Sequence, residues 1–525
     1  MKQNYPIQPS VLVKARLIKV NEKLKLLAKN YMISQGLGLL FITFVLKLTS
    51  MKKISTLFIL IALFSQIYSQ QTENMIYENW FGNNTMRLDY FHSGTSSEEH
   101  FAIDRILNDG PWSGSKTILI DPLQYGLYFF EISDTETGTT LYSRGFASIF
   151  GEWQTIPEAE KQWGTFHESL RFPWPLKPVK VTLKKRNAKN DFETIWETEV
   201  DPESRIVNTA LNESKYKIYT VLNNVNPNKN VDIVILGDGY TDSEMNKFHA
   251  DANRLTEALF EVEPFKSNKH KFSVRCVDTP SPVSGVNRPH PGVFKRTPLS
   301  VSYSSFDSER YALAYDNRTI RDVASAVPYD FMFILINEKT YGGGGIYQLY
   351  STVAVDNTFS EYIFVHEFGH HFAALADEYY TSDVSYQPVE ITIEPWEANI
   401  TALLDKDKLK WIEMVDPSTP LPTPWEKELY DSLSYEVQSE RRELRAAKVP
   451  ESEVEALFER EKSESEAILD HMEYTGKVGA FEGGGYMQYG YYRPYADCIM
   501  FTRNKQEFCP VCQRAIEVVI NAYTD

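Results

Sequence analysis

The sequence predicts a multi-domain chain of mixed α+β and α/β class: an N-terminal antiparallel β-sandwich, then an α/β domain carrying an inserted, charged helical hairpin. Three observations predict it. Residues 75–205 break into short runs rich in aromatic and β-branched residues, separated by turn chemistry, as an antiparallel sandwich does. From about residue 230 apolar runs alternate with helical periodicity. Residues 425–472 are dense in Glu, Lys and Arg, as two solvated helices are. The 525 residues are too many for one core, and 42% hydrophobic with 24% charged residues excludes a wholly disordered, collagenous or coiled-coil chain. Four cysteines are too few for a disulfide scaffold. The 71 acidic residues outnumber 54 basic ones, which argues against a broad electrostatic footprint for nucleic acid.

The first seventy residues stand apart. Residues 51–70 (MKKISTLFILIALFSQIYSQ) have the layout of a signal peptide: Lys52 and Lys53, then an apolar stretch from Ile54 to Phe64, too short to span a bilayer. Met51 is a ready alternative start, so residues 1–50 are expected to be a mis-called upstream extension. The stretch Met32 to Leu46 is the rival, a membrane anchor, but Ser34, Gln35, Gly36 and Gly38 interrupt it. The mature chain is therefore expected to be exported, to the periplasm, cell surface or medium, with no stable membrane insertion after signal removal. Its cysteines are then open to oxidation.

The sandwich is expected over residues 71–210, with runs at 86–91, 126–133, 139–149, 179–185 and 194–200. Turn residues such as Asn83-Asn84 and Asn108-Asp109-Gly110 separate them, and 180–183 alternates as a half-exposed sheet does. No catalytic constellation is visible there, so the region reads as a binding or packing module. The second domain is expected over 211–525. Residues 231–236 (VDIVIL) form a buried-type strand, and Gly237-Asp238-Gly239 turns the chain. Thr241 and Glu244 form a capping-box pattern. Met245, Phe248, Ala252, Leu255 and Leu259 then mark an amphipathic helix. Further strands are expected at 271–277 and 331–336. The hairpin spans 425–472, with a thin apolar stripe of Val454, Leu457, Phe458 and Ile468.

Residues 361–380 read EYIFVHEFGHHFAALADEYY. His366 and His370 are four residues apart, so on a helix they share one face and two imidazoles can grip one zinc ion (Zn2+). Glu367 stands beside them to take a proton from water. His371 points elsewhere. A catalytic zinc has three protein ligands, and Asp377 is the best third. On a straight helix it would lie about 16 Å along the axis from His366, so the chain must fold back after about Ala373. Glu378, or a glutamate from a later helix, is the alternative. The paired Asp377-Glu378 also reads as a loop that orients a histidine from behind.

Several blocks resemble the IgA-peptidase family of secreted zinc metallopeptidases, which are metzincin-like enzymes. They are residues 231–241 (VDIVILGDGYT), 364–380 (FVHEFGHHFAALADEYY), 481–486 (FEGGGY) and 492–512 (YRPYADCIMFTRNKQEFCPVC). Residues 144–155 (RGFASIFGEWQT) resemble that family's N-terminal β-sandwich domain. The similarity covers nearly all of residues 75–525. It implies a metzincin-like zinc peptidase domain in which His366, His370 and Asp377 hold zinc and Glu367 is the general base. It also implies that Met500 is the methionine turn beneath the metal. The chain departs from HExxHxxGxxH: Ala373 replaces the turning glycine, Ala376 stands at the third histidine, and the acid comes one residue later.

Tyr341 to Gly345 (YGGGG), followed by residues 346–355, reads either as a loop and edge strand above the zinc helix or as a flexible loop before an ordinary strand. Tyr486, Tyr489, Tyr491, Tyr492 and Arg493 are candidates to steady an oxyanion, or aromatic packing. Cys509-Pro510-Val511-Cys512 reads as a redox pair, half of a metal knuckle or structural cysteines; only Cys276 and Cys498 would complete a four-cysteine site, and disulfides or inert thiols are the expectation for an exported chain. The expected function is an exported zinc-dependent endopeptidase acting on a protein or peptide substrate. The rivals are a non-catalytic zinc-containing protein that binds a host or envelope polymer, and hydrolysis of a non-peptide amide. The family's title does not make immunoglobulin A the substrate.

Overall fold

Two four-stranded sheets face each other at the N-terminal end of the computed structural model, which describes residues 76–224, 228–382 and 393–525. The segments read above as extension and signal peptide lie outside the described residues. One sheet has the order β5-β1-β2-β8: β1 is Phe81–Gly94, β2 Glu99–Pro111, β5 Gly164–Pro175 and β8 Val207–Asn208. The other has the order β4-β3-β6-β7: β3 is Tyr128–Asp134, β4 Thr140–Phe146, β6 Val179–Arg186 and β7 Phe192–Val200. Pairing is antiparallel throughout, except that β8 joins β2 in parallel. Met86, Leu88, Tyr90 and Phe172 meet Phe130, Ile132, Val181 and Leu183 between the sheets.

β1 is buried on both faces. Residues alternate across a strand, so Met86, Leu88 and Tyr90 face the sandwich core while Arg87 and Asp89 turn to the other side. There they meet the helix Asn317–Ala324 of the second domain. Arg87 Nη1 lies 2.5 Å from Asp109 Oδ1 and Nη2 lies 3.2 Å from Asp89 Oδ2, and the same guanidinium donates to Asp322. Arg105 bonds Asp89 at 2.7 Å and Asp322 at 2.8 Å. Arg171 bonds Asp109 at 2.8 Å. A charged seam therefore joins sandwich and second domain, and residues 77–525 form one compact unit.

The second domain is built on a mixed six-stranded sheet of order β15-β16-β14-β10-β11-β9. Here β9 is Ile218–Leu222, β10 Val231–Asp238, β11 Phe272–Val277, β14 Phe331–Ile336, β15 Gly343–Ile346 and β16 Tyr350–Ala354. The central strands are parallel and both edges antiparallel. β12 (Val301–Ser302) and β13 (Leu313–Ala314) form a small ribbon beside it. β10 and β14 are buried at every position, as strands covered on both faces are. The Met245–Leu259 helix starts where Glu244 accepts the Thr241 amide at 2.8 Å, and it buries Phe248, Ala252, Leu255 and Leu259. The Ser360–Ala373 helix packs under β15 and β16 through Ile363, Phe364 and Phe368. Near the C-terminus, β17 (Phe481–Gly484) pairs with β18 (Met487–Arg493), and the Pro510–Thr524 helix closes the chain.

The glycines themselves form the edge strand, and the run that follows is an interior strand. A strand without side chains lets the helix beneath come close: a Cβ on Gly343 would lie 2.7 Å from Ile363, and one on Gly345 would collide with the Glu367 carbonyl oxygen. The charged hairpin, Lys427–Ala446 and Glu451–Leu469, is tied in more firmly than its composition implies. Phe458 packs on Tyr341 and Phe359. Glu455 accepts from Asn357 at 2.9 Å, and Glu451 accepts the Tyr341 amide at 3.0 Å. Among the described residues no helix is long and apolar enough to cross a membrane.

Candidate metal centre

The HEFGH segment lies on the last two turns of the Ser360–Ala373 helix. The helix stops at Ala373 because Ala374 takes a left-handed conformation (φ 52°, ψ 34°), and its amide closes back on the His370 carbonyl at 3.0 Å. Glycine is the usual residue there. The turn reverses the chain and brings Asp377 back over the helix face. His366 Nε2 lies 3.1 Å from Asp377 Oδ1, His370 Nε2 lies 3.2 Å from the same oxygen, and the two Nε2 atoms are 3.2 Å apart.

The far side of each ring decides what this triangle can do. His366 Nδ1 donates to the Ile499 carbonyl at 2.9 Å and His370 Nδ1 to the Leu375 carbonyl at 2.5 Å. A carbonyl only accepts, so both Nδ1 atoms carry a proton and both Nε2 atoms are left to face Asp377. Burial lowers the proton affinity of His370, but Asp377 overrides it and pushes the ring up to about 9, so without a metal its Nε2 holds a second proton toward that carboxylate. Two Nε2 atoms and a carboxylate oxygen thus converge on one point, an arrangement satisfied by a proton or by a metal cation. Zn–N and Zn–O bonds of about 2.0–2.1 Å in a tetrahedral set place donors roughly 3.3–3.4 Å apart, close to the spacing observed. The donor set of two imidazoles and one carboxylate is one that zinc takes. Tyr486 donates to the other oxygen of Asp377 and fixes its rotation.

Glu367 offers a carboxylate oxygen within 4.8 Å of both imidazole donors. Its Oε2 lies beside the backbone of Gly345. Burial pushes the Glu367 carboxyl up, against the pull of His366 and His370. Asp377 is held well below the usual carboxylate range: burial works against this, but His370 and His366 prevail. The Met500 sulfur packs under the helix against Gly369, where a Cβ would lie 2.9 Å from it. The Met500 carbonyl accepts the Glu378 amide at 2.8 Å.

Asp377 is therefore the carboxylate brought to the histidines, and Glu378 is turned away from them into a cluster with Cys498, Cys509 and Cys512. His371 faces the core and bonds the Ile346 carbonyl at 3.0 Å and the Met332 amide at 3.1 Å. Of the tyrosine-rich stretch, Tyr486 reaches the centre, Tyr489 is exposed, and Arg493 is buried over Trp425 and Phe501. All four cysteines are buried free thiols, so of the two alternatives, disulfides or buried thiols, the structure has the thiols.

The centre opens into a cavity of about 650 Å³. Its walls include Ser148 and Glu152 of the sandwich, Gly343 and Gly345 of the edge strand, and Tyr430 and Gln438 of the hairpin. Arg310 also lines it and bonds Tyr379 at 3.1 Å, and Tyr311 donates to Glu152 at 2.5 Å. Arg310 carries no motif and nothing local in the sequence singles it out, whereas Glu152 lies in the block 144–155, quoted above without a role for it. The sandwich, read from sequence as a binding or packing module, forms one wall of the cavity. Gly343 is capped on its outer side by Arg310 and Ala312, through bonds of 3.2 Å. Gly345, two residues on, presents its backbone on the same side, toward the cavity. Gly345→Ala is expected to destabilise the fold by about 1–3 kcal/mol and to lower kcat/KM, because the helix backbone at Glu367 must shift. Unchanged melting temperature and kinetics would show that strand and helix separate freely.

A model of the family described as IgA Peptidase M64 matches residues 220–520, and one described as Peptidase M64 N-terminus matches residues 66–197. No curated protein matches the chain.

Proposed function

Because the chain belongs to the IgA Peptidase M64 family, we propose that this peptidase is an exported, zinc-dependent endopeptidase that cuts extended polypeptides. The observation that carries the reading is the convergence of His366 Nε2, His370 Nε2 and Asp377 Oδ1 at 3.1–3.2 Å with both Nδ1 protons committed to carbonyls. His366, His370 and Asp377 would hold zinc. Bound there, zinc supplies Lewis acidity toward a peptide carbonyl and makes water a stronger acid.

The chain's own residues do the rest. Glu367 takes the proton of the attacking water on its carboxylate and returns it to the leaving amine. The backbone of Gly345 offers an extended substrate a strand to pair with, so binding there is through main chain. Tyr486 keeps Asp377 in place. Arg310 supplies positive charge on the cavity wall. Export rests on the signal-like segment 51–70.

Chelation is expected to abolish cleavage and added zinc to restore it; cleavage indifferent to a chelator would overturn the zinc dependence. The direct test is mass spectrometry of new termini in a protein mixture treated with the chain or with its Glu367→Gln variant. New internal termini that appear only with the unsubstituted chain support an endopeptidase. None from any protein would favour the rival reading, a polymer-binding protein.

A further inference from the structure

Glu378, the residue after Asp377, is 0% exposed, and its Oε2 has no hydrogen-bond partner among the described residues. A buried, unpartnered carboxylate oxygen is costly and calls for a cation or a proton. Around it stand three buried thiols. Glu378 and Cys498, Cys509 and Cys512 each place one ligand atom within 4.8 Å of all the others. Cys498 Sγ lies 4.0 Å from Cys512 Sγ, and Cys512 Sγ lies 3.4 Å from Glu378 Oε1. The Cys509 amide donates to Cys498 Sγ at 3.2 Å. The other oxygen, Oε1, also accepts from Asn399 at 3.0 Å.

We propose that Cys498, Cys509, Cys512 and Glu378 form a second, structural metal site that takes a zinc ion, distinct from the centre at His366, His370 and Asp377. Tetrahedral zinc with Zn–S of about 2.3 Å and Zn–O of about 2.0–2.2 Å sets sulfurs roughly 3.8 Å apart and sulfur from oxygen roughly 3.5 Å; both observed separations match. Thiolates select zinc over the hard divalent cations. Binding releases the thiol protons and the carboxyl proton of Glu378 to water and places three thiolates and one carboxylate on a dication. The excess negative charge is met by buried Arg493, which acts on Glu378, and by the N-terminus of the Pro510–Thr524 helix, at which Cys509 is the cap. Four protein donors close the coordination, as structural rather than catalytic zinc requires.

The site would tie together three segments that serve the first centre. Glu378 follows Asp377, and Cys498 stands one residue before Ile499, whose carbonyl orients His366. Cys509 and Cys512 anchor the last helix beneath them. The sequence pattern Cys-Pro-Val-Cys suggests half a knuckle, but the partners are Cys498 and a carboxylate, while Cys276 lies apart on β11.

The test is zinc content per chain by plasma mass spectrometry, for the full chain purified without chelator, together with cobalt(II) spectra. Two equivalents are expected. The His366→Ala/His370→Ala variant should keep one, and loaded with cobalt(II) it should show a strong thiolate-to-cobalt charge-transfer band. Cys509→Ser/Cys512→Ser should keep one equivalent without that band; should this variant fail to fold, the histidine variant alone decides. A histidine variant that holds no zinc, or binds cobalt(II) without the band, overturns the proposal, as does a disulfide among the three cysteines in non-reduced peptide maps. The inference is independent of the peptidase reading. One equivalent lost with the histidines leaves the first centre standing and removes the second, and one equivalent indifferent to the histidines does the reverse.

Discussion

Glu367→Gln is expected to leave the metal content unchanged and to lower kcat/KM by about 10²–10⁴-fold, the range of a lost general base. Glutamine has the size of glutamate, so the close approach of the helix to Gly345 is preserved. The three donor atoms lie on His366, His370 and Asp377 and are not touched. What is lost is an oxygen able to take and return a proton. The effect should fall on kcat, since Gly345 and the cavity walls still receive the substrate. A variant that keeps its zinc and still cleaves within a factor of a few would remove Glu367 from the chemistry. One that loses zinc would show that Glu367 helps to hold it.

Arg87→Ala is expected to cost about 3–5 kcal/mol, the price of removing one partner of a buried ion pair. Arg87, Asp89 and Asp109 have fully buried side chains. Arg87 bonds two carboxylates on its own sheet and one, Asp322, on the helix of the peptidase domain. Deletion leaves Asp89 and Asp109 in the interior with Arg105 and Arg171 as their remaining cations. Denaturant unfolding of the variant measures the loss. Arg87→Lys should recover only part of it, because an ammonium cannot fork across three carboxylates. A loss below about 1 kcal/mol, the value of an exposed pair, would mean that water reaches the seam.

The same residues explain what the sequence conceals. β2 and β5 do not stand out as strands because Asp104, Arg105, Asp109, His167, Glu168 and Arg171 give them a solvent-facing look. Asp109 and Glu168 are buried and the other four half-buried, against one another or against the peptidase domain. Pattern reading cannot tell a wet face from a charged seam. The Met245–Leu259 helix and the strands β10 and β14 were legible because apolar burial leaves a periodic trace. In the centre, the helical spacing fixed His366 and His370, and chain length alone required a reversal before Asp377. The reversal itself was hidden, since Ala374 adopts the backbone that glycine usually marks. Asp377 and Glu378 are adjacent and chemically alike, so composition could not assign one to the histidines and the other to the cysteines. Arg310 reaches the cavity from a turn and Glu152 from the short helix Ile149–Trp153, and only the fold brings them together.

The proposed pairing of substrate with the glycine strand has a consequence for selectivity. A main-chain partner reads the shape of an extended polypeptide and is indifferent to its side chains. Discrimination between one cleavage site and another then falls to the opposite surfaces, which belong to the sandwich and the hairpin. Grafting the His366–His370 helix and its edge strand onto a foreign scaffold would transfer the cutting edge without its taste. Exchanging sandwich and hairpin between homologues, with the blade left in place, is the route to redirecting it.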